Sequence, residues 1–303
     1  MGIDCYKLED KFVWDFWYAR QGDEHHAFYL QYPREGDPEY IHSRQSVGHA
    51  VSKDLLHWEE KPTALQPIPG TWNDQGIATG SVVFKDGVWN MLYTGNSSRD
   101  GGGIGLARSD DLTNWTKVGE APVFSKPDPF IANWDGEEIQ ASPLADPYVY
   151  PEAMDGFYYM VINAQEVNAP QGSRGCQLML RSRNLTDWEA HKIAAYPRKF
   201  ERMETSQIWS RNGLWYMYFG GVTGDEKFEN WIYVSESFDG PYEARPWSRI
   251  SLPGDCYFYI AKVVEDTNGQ DVFLANKAIE SLLGGYRMVY GEDGSVILAE
   301  RGR

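Results

Sequence analysis

Three carboxylates in this chain stand at matching places in a repeated pattern. Five runs of similar composition, HAFYLQY, WNMLYTG, FYYMVIN, WYMYFGG and DVFLANK, carry Phe28, Met91, Tyr159, Met217 and Phe273 at their third positions, 63, 68, 58 and 56 residues apart. Thirteen residues before these anchors lie Asp15, Ala78, Asp146, Glu204 and Ile260. Cleaving a glycosidic bond takes two carboxyl groups in different protonation states: one ionised, as nucleophile or base, and one protonated, as acid. A third carboxylate nearby raises the acid's pKa by like-charge repulsion and can orient the sugar. Asp15, Asp146 and Glu204 supply that set. A single Asp in such a run reads as an ordinary turn or edge residue; three at one register argue for a site.

The elements that must position them are strands. Residues 11–32, KFVWDFWYARQGDEHHAFYLQY, read as two antiparallel strands joined at the polar turn Gly22-Asp23. Five copies at a period near 60 fill the 303 residues, so the expected fold is all-β, a five-bladed β-propeller forming a single domain over 1–303. Blades fall at about 11–60, 72–117, 140–190, 200–245 and 255–300. The first strand of each blade lines the central channel, which brings residues far apart in sequence around one axis. The second inner strand offers small hydroxyls, Thr79 among them, and the fifth offers tyrosines, of which Tyr257 is expected to face the channel. Trp72 and Asp74, on the loop entering the second inner strand, are candidates for the pocket rim. Third strands end in Ser/Asp turns followed by Trp58, Trp115 and Trp188, read as structural caps of the blade cores. His49 reads as a core histidine. Residues 100–105, DGGGIG, lack the Lys-Ser/Thr of a phosphate loop and read as a hairpin turn. The apolar run 294–299 is expected to close the ring beside the N-terminal residues.

Composition narrows the partners. The net charge of −16 argues against nucleic acid and anionic membrane. Aromatics at 15% suit stacking on sugar faces as well as core packing. Cys5, Cys176 and Cys256 are odd in number and share no metal-type spacing, so neither a disulfide framework nor a bound metal is expected. No cofactor is called for. The N-terminus carries no apolar core of signal-peptide length and no 18-residue apolar run occurs, so a cytoplasmic location is expected. Oligomeric state is not legible.

Residues 48–59, GHAVSKDLLHWE, resemble the WGHAVSxDLxxW signature of glycoside hydrolase family 32, the β-fructofuranosidases, invertases and levanases. The resemblance continues through Pro62–Pro67, Trp72-Asn73-Asp74, Thr79-Gly80-Ser81 in place of Ser-Gly-Ser, Tyr93-Thr94-Gly95, Asp146-Pro147 and Met203-Glu204-Thr205, covering roughly residues 11 to 220. It implies a five-bladed propeller, a retaining hydrolase or transglycosylase acting on β-fructofuranosides, and roles for the same trio. Asp15 becomes the nucleophile, Glu204 the general acid/base, and Asp146 the stabiliser that holds sugar hydroxyls. It also implies a substrate contact for Gln31. Three departures accompany it. The family's Asn-Asp-Pro-Asn-Gly is here Trp14-Asp15-Phe16-Trp17, so Trp14 and Phe16 are expected to reshape the sugar subsite. Its arginine before the stabilising aspartate is Ala145, and no C-terminal β-sandwich is expected after the fifth blade. Two other readings stay open: an inverting propeller hydrolase acting on arabinosides or xylosides with Asp15 as base, and a sugar-binding propeller without catalysis.

Overall fold

The computed structural model describes residues 4–99, 101–125 and 130–301, and these form five antiparallel sheets arranged as a five-bladed β-propeller. Alternating apolar residues in each run bury both faces, since every sheet packs between two others. The ring is closed by five hydrophobic clusters, one in each gap between consecutive blades. Val13, Tyr29 and Leu55, for example, meet Val272, Leu274 and Leu282 between blades one and five.

The innermost strands are Lys11–Gln21, Gly76–Lys85, Glu137–Val149, Arg202–Arg211 and Ile260–Glu265. Blade three begins earlier than its sequence pattern suggests, because Phe130–Trp134 pairs with the first half of Glu137–Val149. Blade four has three strands, its outer edge being reduced to the isolated bridges Trp231↔Arg249 and Val234↔Glu243. In blade five the third strand is split into Ser281–Leu283 and Tyr286–Tyr290. The first half pairs with the N-terminal strand Asp4–Tyr6 and the second with Val296–Glu300. The two ends of the chain thus share the outer edge of one blade, as the apolar run 294–299 requires.

The Ser/Asp turns repeat in atomic detail. Ser52 Oγ accepts the Leu55 N–H at 2.9 Å and Asp54 Oδ1 accepts the N–H groups of Leu56 and His57, both at 2.8 Å. Ser182 and Asn184 do the same for Leu185, Thr186 and Asp187. The caps let Leu55, Leu112 and Leu185 hold positive φ values of 64°, 61° and 66°. Trp115 and Trp188 close the turns by donating from Nε1 to the carbonyls of Leu112 and Leu185. Gly48 of the GHAVS run is required by packing, since a Cβ there would lie 2.2 Å from the Tyr29 ring. His49, beside it, is fully buried. The three cysteines are free. Asp100 of the expected hairpin lies outside the described residues. Among the described residues, no helix is long and apolar enough to cross a membrane.

Candidate active site

Four of the five inner strands break register at the channel, and the breaks build the site. One extra residue intervenes between Trp14 and Trp17, between Ala78 and Gly80, between Ala145 and Tyr148, and between Glu204 and Gln207. A β-bulge of this kind bends its strand and re-aims a side chain. Asp15, Asp146 and Thr205, each just after the last paired residue, hold φ values of 51°, 62° and 53°. Such left-handed backbone is tolerated by Asp better than by most residues. The bulge also corrects the repeat register. The structural counterparts of Asp15 and Asp146 are Thr79 and Thr205, whereas Glu204 occupies the position before the bulge, with Trp14, Ala78 and Ala145.

All three carboxylates nevertheless line one pocket of about 280 Å³ at the channel mouth. Asp15 is 7% exposed. Its Oδ2 accepts a hydrogen bond from Thr79 Oγ1 at 2.5 Å, and its Oδ1 is buried without a partner. Burial first, then repulsion from Asp146 and, more weakly, Glu204, push Asp15 up to about 7, against the pull of Thr79 and Lys262. Asp146 Oδ2 accepts from Asn163 Nδ2 at 2.9 Å and from the Thr205 N–H at 3.0 Å, while its own N–H donates to Thr94 Oγ1. Glu204 is pushed up by burial and by Asp146 and held back by Arg202 and Tyr259. The Arg202 bond runs from Nε to Glu204 Oε1 at 2.8 Å. Burial and the neighbouring Asp146 thus shift both Asp15 and Glu204 toward the protonated form. An acid and a base on one cavity wall suit proton transfer to a leaving oxygen combined with attack on an acetal carbon.

Of the substrate-binding candidates, Trp14 and Thr79 line this pocket and the others do not. Trp14 meets His42 edge to face at 5.7 Å, forming an aromatic wall beside Asp15. Gln31 is buried behind it, donating to Thr63 Oγ1 at 3.0 Å. Trp72 stacks on Tyr93, its ring where a Cβ at Gly95 would stand, and Asp74 accepts from the backbone and hydroxyl of Ser98. Tyr257 is 59% exposed and outside the lining, and the tyrosine of blade five that lines the pocket is Tyr259.

Sequence reasoning missed Arg202, Asn163, Tyr259, His42 and Gln45 in the lining, and Lys262 beneath it. Arg202 was within reach of the pattern, because residues two apart on a strand share a face. Asn163 follows only from the pairing Ala145↔Asn163, which the bulges displace.

A family model described as the glycosyl hydrolases family 32 N-terminal domain matches residues 16–206, a range that includes Asp146 and Glu204 and begins one residue after Asp15. Sucrose-6-phosphate hydrolase of Escherichia coli is 31% identical over 183 residues, covering 57% of this chain and 33% of that protein. The chain thus spans about a third of the length of the curated relatives it matches first. Among solved structures, the sucrose-6-phosphate hydrolase of Lactobacillus gasseri superposes with a TM-score of 0.76 at 16% identity, covering 98% of this chain and 62% of that one. A variant of a Bombyx mori family 32 β-fructofuranosidase in complex with sucrose gives 0.70 at 18% identity, covering 95% and 64%. At these identities the superpositions speak for the fold.

Proposed function

The chain belongs to glycosyl hydrolase family 32, and from that premise we propose that it is a β-fructofuranosidase-type glycosidase whose catalytic groups are Asp15, Glu204 and Asp146. The observation that carries the reading is the convergence of these three carboxylates, from three blades, on one pocket. Asp15, which lines the pocket and keeps one carboxylate oxygen without a hydrogen-bond partner, attacks the anomeric carbon and forms a glycosyl ester. Glu204 gives its proton to the departing oxygen. It then takes a proton from the incoming water, or from a second sugar, as that oxygen displaces Asp15. Asp146, oriented through Oδ2 by Asn163 and the Thr205 N–H, accepts hydrogen bonds from ring hydroxyls. Bonds that strengthen as the ring flattens stabilise the oxocarbenium-like transition state. Trp14 and His42 supply the aromatic wall for the sugar face. The partner proposed is therefore a neutral carbohydrate.

NMR-followed incubation with sucrose, a kestose-type oligosaccharide and an aryl arabinofuranoside tests this. Release of β-fructofuranose as the first anomer is the expected result. Inversion, or cleavage of the arabinoside alone, makes Asp15 a base and rejects the retaining reading. A Glu204→Gln variant should lose at least about a hundredfold in turnover, the usual yield of a positioned acid/base. Near-normal rates in it reject the assignment.

A further inference from the structure

One buried cation beneath the trio has no place in that scheme. Lys262 lies on the inner strand of blade five and is 5% exposed. Lysines are seldom buried to this degree without a paired carboxylate. Its Nζ instead donates to the carbonyls of Thr205 and, at 3.1 Å, Ser206, the two residues of the bulge that follows Glu204. Thr205 and Ser206 have no ladder partner in blade four. On the other side of Glu204, the Met203 carbonyl accepts from Gln177 Nε2 of blade three at 2.5 Å. The backbone carrying Glu204 is therefore pinned by both neighbouring blades. The lysine strand is itself fixed to blade four, through Gln207 to Val263 and through Tyr218 Oη to the Ala261 N–H.

The charge has a second consequence. Lys262 interacts with Asp146 and Asp15, and it opposes the protonation of Asp15. Burial pulls the ammonium down to about 8 and the two aspartates hold it up. The other groups facing this region are Glu204 with its partner Arg202 on blade four, and three tyrosines. Tyr148 has its ring centroid 5.9 Å from Nζ; Tyr218 and Tyr259 are held neutral by burial. Arg202 draws negative charge toward Glu204; Lys262 draws it toward the aspartates.

Resting on the catalytic reading above, we propose that Lys262 is a positioning residue of the site. Its ammonium shapes the bulge that aims Glu204 and favours the negative charge on Asp15 and Asp146.

The test compares K262Q, which keeps a donor to the carbonyls without charge, with K262R, which keeps the charge. Without the cation Asp15 takes up its proton more readily. The acidic limb of kcat/KM on sucrose then moves to higher pH, and the ratio of the rate at pH 6 to that at pH 8 falls about fivefold for a rise of about one unit from about 7, the lower end of what losing an opposite charge does to a carboxyl. K262R restores the ratio. A fall in Tm with the ratio unchanged assigns Lys262 a structural role only and overturns the proposal. Should K262Q not fold, the D15N/K262Q double variant decides. Removal of the Asp15 charge should let it fold cooperatively, and a double variant as unfolded as the single one overturns the proposal. If D15N retains wild-type turnover, the catalytic reading has failed instead, whatever Lys262 does.

Discussion

Replacing Asp15 by Asn should abolish turnover and at the same time make the fold more stable above neutral pH. Asp15 binds its proton at about 7 in the fold and at its ordinary 3.8 in the open chain. Between those values the folded state holds more protons than the unfolded one, so this group's contribution to stability falls as pH rises through the window and stays low above it. Two such pKa values correspond to a cost of roughly 4 kcal/mol above pH 7. The asparagine side chain of D15N does not titrate, and its carbonyl can still accept the Thr79 hydroxyl. Its amide is desolvated, however, and Lys262 loses a counter-charge, so roughly 2 kcal/mol of net gain is the working figure. For 303 residues, at about 2.1 cal/mol/K of unfolding entropy per residue, that raises Tm by about 3 °C. The assay is thermal unfolding of wild type and D15N from pH 4.5 to 8.5 beside fructoside turnover. The gap in Tm should widen from pH 4.5 to 7 and then level off, with turnover down by at least about a thousandfold. A gap that is absent at pH 8, or the same at pH 4.5 and pH 8, refutes the burial argument.

Three further outcomes follow from single contacts. Arg202 holds Glu204 down, so R202M should move the alkaline limb of kcat/KM to higher pH, while stability changes by less than about 1 kcal/mol because the pair is partly exposed; an unmoved limb counts against Glu204 as the acid. Arg211 grips the buried Asp271 through two bonds of 2.7 Å, which Tyr290 completes at 2.6 Å. R211M strands that carboxylate and should cost about 3–5 kcal/mol in thermal or denaturant unfolding, and a loss under 1 kcal/mol refutes the clamp. His49 is buried neutral against His26 at 3.0 Å and is pushed down to about 3, so the unfolded chain binds more protons as pH drops below 6.5 and stability is lost there. H49Q should narrow the difference in denaturant midpoint between pH 4.5 and pH 7, and an unchanged difference removes His49 from the acid response.

The fold was legible because its signals are redundant. Five second-strand runs, three Ser/Asp turns and a GHAVS block all point to one architecture, and each can be read locally. The edges were harder. The strand Phe130–Trp134 and the missing outer strand of blade four depend on pairing across loops, which periodicity does not report. Candidates on loops fared worst. Trp72, Asp74 and Tyr257 have suitable chemistry, but where a loop side chain ends is decided by what it packs on. Trp72 lies over Gly95, and Asp74 is taken by Ser98.

The site residues show why a repeat alignment can find the right side chains in the wrong register. Each bulge adds a residue at the channel, so counting back from the second strand lands on the bulge in blades one and three and just before it in blades two and four. Glu204 was found because the count slipped together with the backbone. This offset has a chemical consequence. The position before the bulge carries Trp14, Ala78, Ala145 and Glu204, and all four line the pocket. Ala145 stands there where the family resemblance calls for an arginine, and the arginine that lines this pocket, Arg202, enters from blade four, paired to Glu204. The cation is thus tied to Glu204, the proposed acid, and not to Asp146. Under the proposed function, substrate recognition beside Asp146 should then fall to Asn163 and to the aromatic wall of Trp14 and His42. A kcat/KM that responds more to Trp14→Ala than to Asn163→Ala would place the selectivity in that wall; the reverse order would place it in the hydroxyl contacts.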